Sequence, residues 1–514
     1  MEDLNYGIMY NWDGAPYGYS AYPQSLEQFL DKVYAPLVDT QVGALCWCMG
    51  THEATWPSKV VEMVGDSIGR KYDSARQMHH AENIRAMFER GEDACGGMVQ
   101  RGRQLGMAVY ASIRMNDNHF WDLVPDDLAG LVRSDLTQMR KEHPEWLLGV
   151  EQAPRWASTS WNMAIPQVRQ HILDLVREAC LLADWDGVEL DWQRHAFHLP
   201  ADDAYRLRYA VTDLQRAIRQ MTEEIGRQRG RPFHVAVRIA ATLESCRNIG
   251  YDVETWAAEG LCDIVIGGGN SGTDPGAEVE AFKELLNPRG IKFYGGLDSV
   301  GRQEAKRLVS NSRWREAWLR AVACEYYQRG ADGIYTYNWH GTASTHRPLL
   351  TTLGAVETLE GKDKIHAALH RHIGPRNAGR AGAERDDRIY GETPVALYRT
   401  LTGVAPTFHL PVYDADRAQS LELHIEMVHW APGDKVEVRL DGKVLGPPQV
   451  RNVAAEDDAN PGDVDENSWL VWPLEAGQLA RGMHQVQVAL VERDARLRTP
   501  LAVQHVEIHV NFGA

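Results

Sequence analysis

The densest run of potential chemistry in the chain is Trp185-Asp186-Gly187-Val188-Glu189-Leu190-Asp191-Trp192-Gln193-Arg194-His195. Its apolar–acidic alternation has the period of a β-strand. Successive side chains on a strand point to opposite faces, so Val188 and Leu190 share one face and Glu189 and Asp191 the other. Two carboxylates on an inward face are costly to bury unless they are paired or used. Arg114, Arg194 and Arg238 are the cations that would pair them in a purely structural network. A second group, Arg114, Asn116, Asp117 and His119, offers a cation, an amide, a carboxylate and an imidazole, a set that can hydrogen-bond several hydroxyls. A buried Arg there would also hold Asp191 in its charged form. His119 with His52 or His195 is a conceivable metal pair, but no tight ligand spacing supports one, and no metal or other cofactor is expected. A third group, Tyr335-Thr336-Tyr337-Asn338-Trp339-His340, ends an apolar run in a polar, aromatic tip, as Tyr10-Asn11-Trp12 does near the N-terminus.

The elements that must position these groups alternate in type over the first 360 residues. Candidate strands are 6–11, 44–49, 107–114, 187–192, 234–240, 263–267, 292–296 and 333–338. Between them lie helical patterns at 25–38, 166–183, 202–229 and 313–329, with Pro166 at a first-turn position. Eight strand–helix units predict an α/β chain folded as a closed (β/α)₈ barrel, in which the C-terminal strand ends supply the catalytic groups. Gly267-Gly268-Gly269 lacks the rest of a dinucleotide fingerprint. After residue 360 the pattern changes. Residues 1–377 read as the barrel, 378–394 as a linker rich in Gly, Ala and charge, and 395–514 as an antiparallel β-sandwich. Asp441-Gly442 marks a hairpin turn. The sandwich is expected to pack on the barrel, with carbohydrate binding a reading by analogy alone.

Composition narrows the partners. The chain has 514 residues, with 54 Lys and Arg against 71 Asp and Glu, a net charge of -17. A nucleic-acid binder would carry a basic patch, so no nucleic acid is expected. Sixteen Trp and 19 Tyr against 9 Phe suit flat sugar faces, or simply a large core. The seven Cys show no zinc spacing and read as buried free thiols of a reducing compartment. There is no signal-peptide pattern and no 18-residue apolar run, so the protein is expected in the cytoplasm, away from membranes. A homo-oligomer is compatible with this composition.

The strand around Asp191, together with Ser112-Ile113-Arg114-Met115-Asn116-Asp117-Asn118-His119, 250–256 and 330–335, resembles bacterial glycoside-hydrolase-like (family-10-like) barrel proteins over most of residues 1–360. The same strand is similar to the Asp-x-x-Asp-x-Asp-x-Glu motif of chitinases, with Gln193 where the motif has its acid. A Gln cannot donate that proton. It also resembles retaining α-glycosidases, whose nucleophile is an Asp ending the fourth strand, the place of Asp191. These resemblances imply hydrolysis of glycosidic bonds in an oligo- or polysaccharide. Asp191 would be the nucleophile or charge stabiliser, with Glu189 as a further catalytic carboxylate. Glu244, just past the fifth strand, is the first candidate acid/base and Asp298 the second. Arg114, Asn116, Asp117, His119, Arg194, Arg238, Asp298, Tyr337, Asn338, Trp339 and Trp12 are expected to bind substrate. Asp191→Asn is expected to abolish activity with little change in melting temperature. The alternatives are a carbohydrate lyase or metal-dependent hydrolase on the same barrel, or a non-catalytic glycan-binding protein.

Overall fold

Eight parallel strands close into a barrel in chain order: β1 (Ile8–Trp12), β2 (Val42–Cys48), β3 (Ala108–Arg114), β4 (Gly187–Asp191), β5 (His234–Ile239), β6 (Ile264–Gly267), β7 (Lys292–Asp298) and β8 (Gly333–Tyr337). β8 pairs back onto β1, Ile8 opposite Ile334. The computed structural model describes residues 4–12, 22–49, 53–133, 135–269, 273–298, 312–339, 343–369, 392–451, 467–475 and 477–513. His52, His340 and nearly all of the expected linker lie outside the described residues. Strand ends differ from the expected ones by one or two residues. The difference that matters is at β7, which continues through Leu297 and Asp298 opposite Thr336 and Tyr337. Asp298 is therefore a strand residue, on the same face as Tyr294 and Gly296.

The barrel interior is layered. Met9, Ala44, Cys46, Tyr110, Ala236, Ile264, Ile266, Tyr294, Tyr335 and Tyr337 form one buried cluster. The tyrosines fill space that glycines leave. Tyr110 lies opposite Gly187 and Tyr294 opposite Gly333. A Cβ on Gly187 would stand 2.4 Å from the His234 carbonyl oxygen and 2.5 Å from the Tyr110 ring, and one on Gly333 would stand 2.3 Å from Tyr294. The Tyr6 and Tyr110 hydroxyls meet at 2.9 Å, and the Tyr294 hydroxyl donates to the Leu4 carbonyl at 2.6 Å. Aromatic packing thus fills the N-terminal half, and the polar side chains of β3, β4, β5 and β7 occupy the other half.

Local signals set the helix ends. Ser25 and Gln28 form a reciprocal cap at the start of the helix Leu26–Tyr34. Pro166 opens the helix Pro166–Leu181. Gly230, at φ +69, ends the helix Ala204–Arg229 in the left-handed region. All seven cysteines are buried and free. Among the described residues no helix is long and apolar enough to cross a membrane.

The chain divides into two compact units that interleave in sequence. The first holds the barrel strands. The second holds the helix Ser312–Gln328 and all later strands: β9 (Lys364–Ala367), β10 (Val395–Leu397), β11 (Thr407–Val412), β12 (Ser420–Val428), β13 (Lys435–Leu440), β14 (Lys443–Val444), β15 (Gln449–Arg451), β16 (Asn467–Leu474), β17 (Gly482–Glu492) and β18 (Leu501–Asn511). One sheet runs β10-β18-β12-β16-β15 with β9 also on β18, and the other runs β11-β17-β13-β14. β9 precedes the expected boundary at residue 377 yet pairs with β18, Ile508 opposite His366. Their facing sides share an apolar core that includes Phe408, Leu423, Ile425, Trp472, Val488 and Ile508. Asp441 and Gly442, both at positive φ, make the turn between β13 and β14.

On the other face of β12 and β18, Glu422, His424 and Glu426 lie opposite His509, Glu507 and His505. His424 and His509 stack at 3.9 Å, and each meets a glutamate of its own strand, at 2.9 and 2.7 Å.

Gly187→Ala is expected to cost about 1–3 kcal/mol, because the new methyl meets backbone and a packed ring. Gly130→Ala, which meets no atom within 4 Å, is expected to change stability by less than about 0.5 kcal/mol. Denaturant melts of both variants check the contrast.

Candidate active site

The C-terminal half of the barrel carries two acidic layers on β4. The deeper is Glu189, which is fully buried. Ser112 on β3 donates to its Oε2 at 2.5 Å, and Asn11 on β1 donates to Ser112 Oγ at 3.1 Å. Burial, and then the Asp191 charge above it, push the Glu189 carboxyl well above the ordinary carboxylate range, while the Ser112 hydrogen bond and Arg238 pull part of the way back. Burial and the Asp191 charge thus favour the protonated form of Glu189 in the floor of the site.

Asp191, one layer nearer the mouth, is charge-balanced. Register puts it between Arg114 on β3 and Arg238 on β5. Arg238 Nη1 straddles the carboxylate, 2.8 Å from Oδ1 and 2.9 Å from Oδ2. Its Nη2 donates to the Gly269 carbonyl at 2.8 Å, and its guanidinium lies 3.8 Å from the centroid of the Tyr337 ring. The glycine run after β6 thus serves a purpose other than phosphate binding. A Cβ on Gly268 would stand 3.3 Å from Gly296, so the bare backbone runs close to β7, and the next carbonyl caps Arg238. Asp191 Oδ1 also accepts from the Gln193 and Arg194 backbone N–H groups, at 3.1 and 2.9 Å. Oδ1 is therefore saturated, whereas Oδ2, among the described residues, takes a single bond, from Arg238.

From Arg194 a chain of side chains crosses the mouth. Arg194 Nη1 donates to Asn338 Oδ1 at 2.9 Å, and Asn338 Nδ2 donates to Asp298 Oδ2 at 2.9 Å. Asp298 is 1 % exposed and faces inward from β7. Asn338 sits at φ +56, a left-handed conformation that L residues rarely adopt and that clusters at functional sites.

Beside Asp191, Asp117 gathers four side chains. Arg114 Nη1 donates to its Oδ2 at 2.7 Å. His195 Nδ1, His119 Nε2 and Arg194 Nε stand 3.0, 3.2 and 3.8 Å from its Oδ1. His195 is also left-handed, at φ +51, and the Asn118 N–H donates to its Nδ1 at 3.0 Å. Burial holds the His195 imidazole down at about 4 and lowers that of His119, so both rings are neutral near pH 7. Trp121, 52 % exposed, sets its ring 6.5 Å from His119 and 6.4 Å from His195.

The structure thus brings together Glu189, Asp191, Arg114, Asp117, His119, Arg194, Arg238, Asp298, Tyr337 and Asn338. Four expected residues stand apart from them. Asn116 spends its amide on the backbone: it accepts from Trp161 N at 2.9 Å and donates to the Trp161 and Phe197 carbonyls. Trp12 is buried on the outer face of β1, with its ring 6.0 Å from Trp47, which packs on Phe29 of the first helix. Trp339 is fully enclosed, and its carbonyl accepts from the Tyr10 hydroxyl. Glu244 is exposed in the first turn of the helix Leu243–Ile249, with no hydrogen bond or ion pair to the buried carboxylates among the described residues.

Sequence reasoning passed over Ser112 as a partner of Glu189, Trp121 as an exposed ring, and Asp135. Asp135 lies at φ +68, and burial, then the charges of Glu53 and Asp117, push its carboxyl up to about 6.

No family model matches the chain, and no curated protein matches it. Solved structures are similar at low identity. The PgaB (BpsB) glycoside hydrolase domain from Bordetella bronchiseptica is 12 % identical at a TM-score of 0.38, over 68 % of this chain and 98 % of that one. A glycoside hydrolase family 18 N-acetylglucosaminidase from Paenibacillus barengoltzii is 10 % identical at 0.33, over 68 % and 100 %. A cycloisomaltooligosaccharide glucanotransferase from Paenibacillus sp. is 10 % identical at 0.33. That match covers 98 % of this chain, which spans little more than half of that one, 58 %. Likeness at this level carries no argument about chemistry, which rests on the site itself.

The state of Glu189 gives a thermal test. Its carboxyl stays protonated in the folded chain at pH values where an unfolded glutamate, with a pKa of about 4.3, has lost its proton. The folded state then binds the extra proton, so this group's contribution to stability falls as pH rises above about 4.3. Glu189→Gln removes that slope. Its melting temperature is expected to gain on wild type between pH 5 and pH 8, and a pH-independent difference would mean that Glu189 is ionised when folded.

Proposed function

We propose that the chain is a glycoside hydrolase acting on an oligo- or polysaccharide, with Asp191 and Asp298 as its carboxylate pair. The observation that carries this reading is the asymmetry of Asp191. One oxygen is saturated by donors, and the other, among the described residues, is left with a single bond at the C-terminal end of β4, where barrel enzymes place their reacting groups. Such an oxygen can attack an anomeric carbon or stabilise an oxocarbenium-like transition state. The second carboxyl must stand across the scissile bond. Asp298 meets that need better than Glu244, since it faces inward from β7, three strands round the barrel from β4, and is oriented by Asn338, which Arg194 holds. In this scheme Asp298 protonates the leaving oxygen and water completes the hydrolysis. His119, Arg194 and the exposed ring of Trp121 line the entrance, where hydroxyls and a sugar face would rest. The family-10-like likeness of the β3 and β4 motifs agrees with this reading.

The test is release of reducing sugar from a broad glycan and aryl-glycoside panel by wild type, Asp191→Asn, Asp298→Asn and Glu244→Gln. Wild type and Glu244→Gln are expected to act, and the two aspartate variants to lose about 10³-fold or more in rate, within the usual scale for essential groups. Loss at Glu244 and not at Asp298 would return the acid/base role to Glu244. An unsaturated, ultraviolet-absorbing product would make the protein a lyase. Sugar binding with no turnover of any substrate would make it a binding protein.

Asp191→Asn is also expected to destabilise the fold by about 3–5 kcal/mol, because it leaves the Arg238 charge buried without its counter-charge. The melting temperature is therefore not a neutral control for this variant, contrary to the expectation from sequence. Trp121→Ala is expected to raise KM up to about tenfold with little change in kcat, the scale of one aromatic contact. Steady-state kinetics on the best substrate of the panel check it.

A further inference from the structure

Asp117 and His119 follow β3 and His195 follows β4, yet the three side chains reach one point. Asp117 Oδ1 stands 3.2 Å from His119 Nε2 and 3.0 Å from His195 Nδ1, and one ligand atom from each of the three residues lies within 4.8 Å of the others. Zinc binds nitrogen and oxygen at about 2.0–2.1 Å, so donor atoms on one tetrahedral ion stand roughly 3.4 Å apart. Two imidazoles and one carboxylate are also a donor set that zinc sites use when the fourth position stays open to water or substrate.

His195 Nδ1 stands 3.0 Å from both Asp117 Oδ1 and the Asn118 backbone N, so an ion bound at Nδ1 would take the lone pair that now faces the Asn118 N–H. His195 is held in this place at φ +51, in a conformation that L residues rarely adopt. Access is available: the Asp117 side chain is fully enclosed and His195 nearly so, but His119 is 34 % exposed and Trp121 stands beside it. An open coordination position on the His119 side would face solvent.

We propose that Asp117, His119 and His195 form a site for one divalent transition-metal ion, with Zn²⁺ as its best-fitting occupant. The charges nearby set its selectivity. Arg114 occupies Asp117 Oδ2, and Arg194 Nε stands 3.8 Å from Oδ1. One carboxylate oxygen among positive neighbours does not satisfy Ca²⁺, which takes six to eight oxygen ligands, or Mg²⁺, which keeps an octahedral oxygen shell. Two nitrogen donors favour ions late in the Irving–Williams order. The site shares Arg194 with the carboxylate pair but does not depend on the glycosidase reading, because occupancy is read without turnover.

The experiment loads the full-length protein with Zn²⁺, desalts it, and counts metal by elemental analysis. A parallel sample is titrated with Co²⁺ and followed by visible d–d absorption. Wild type and the control His143→Gln, at an exposed histidine paired with Glu145, are expected to hold about one ion per chain and to show the cobalt band. His119→Gln and His195→Gln are expected to lose affinity by more than the roughly 10–100-fold that loss of an outer partner costs, and to lose the band. Should His195→Gln fail to fold, His119→Gln, at the exposed member, decides alone. Wild type that retains no zinc and shows no cobalt band overturns the proposal, as does binding that survives in His119→Gln or disappears in His143→Gln.

Discussion

Arg238 and Asp191 meet inside a closed barrel with almost no access to water. Removing two charges from water costs several kcal/mol each, and their attraction repays this only when their remaining donors and acceptors are also satisfied. The surrounding structure can be read as the means of meeting that condition. Backbone N–H groups at Gln193 and Arg194 complete Asp191 Oδ1, the Gly269 carbonyl takes the second arm of Arg238, and the Tyr337 ring faces its guanidinium. The glycine run after β6 belongs to the same arrangement, since it lets that carbonyl come close. Glu189, one layer down, accommodates the same field differently: burial and the neighbouring Asp191 carboxylate favour its protonated form.

Once that pair is fixed, the rest of the mouth follows from it. The turn that brings two N–H groups onto Asp191 also throws Arg194 toward Asn338 and His195 toward Asp117. Two left-handed residues at the mouth, His195 and Asn338, lie in the segment after β4 and directly after β8. Such conformations cost of order 1–3 kcal/mol each and persist where the surroundings demand them. Here they aim polar groups into the mouth in place of continuing the ladder.

Much of this was legible from periodicity. The alternation Val188-Glu189-Leu190-Asp191 correctly implied two inward acids, because side-chain parity along a strand is a strong constraint when one face is a core. The eight-fold repeat of strand and helix gave the barrel. What periodicity could not give was convergence between separate loops. Asp117, His119 and His195 come from the ends of two strands, so no spacing rule for ligands joins them. The expected strand 292–296 stops short of Asp298, although the ladder runs on through it: Gly-Gly-Leu-Asp has no β-branched residue to signal the continuation. Trp12 and Trp339 are expected to bind substrate from their places at the ends of the first and eighth strands. Parity puts Trp12 on the face opposite Asn11, against the outer helix, and the exposed ring at the site belongs to a loop residue, Trp121, that has no periodic signature.

The two rows of alternating glutamate and histidine on β12 and β18 bear on assembly of the second unit. In the observed alignment every glutamate lies opposite a histidine. Sliding one strand by a single residue would turn its apolar side outward. Sliding it by two would keep the apolar side inward but set glutamate against glutamate and histidine against histidine. Hydrophobic alternation alone tolerates the second error, and like charges directly opposite one another do not. The rows therefore act as a parity check on strand alignment, distinguishing the one correct offset from the near neighbours that greasy side chains would accept.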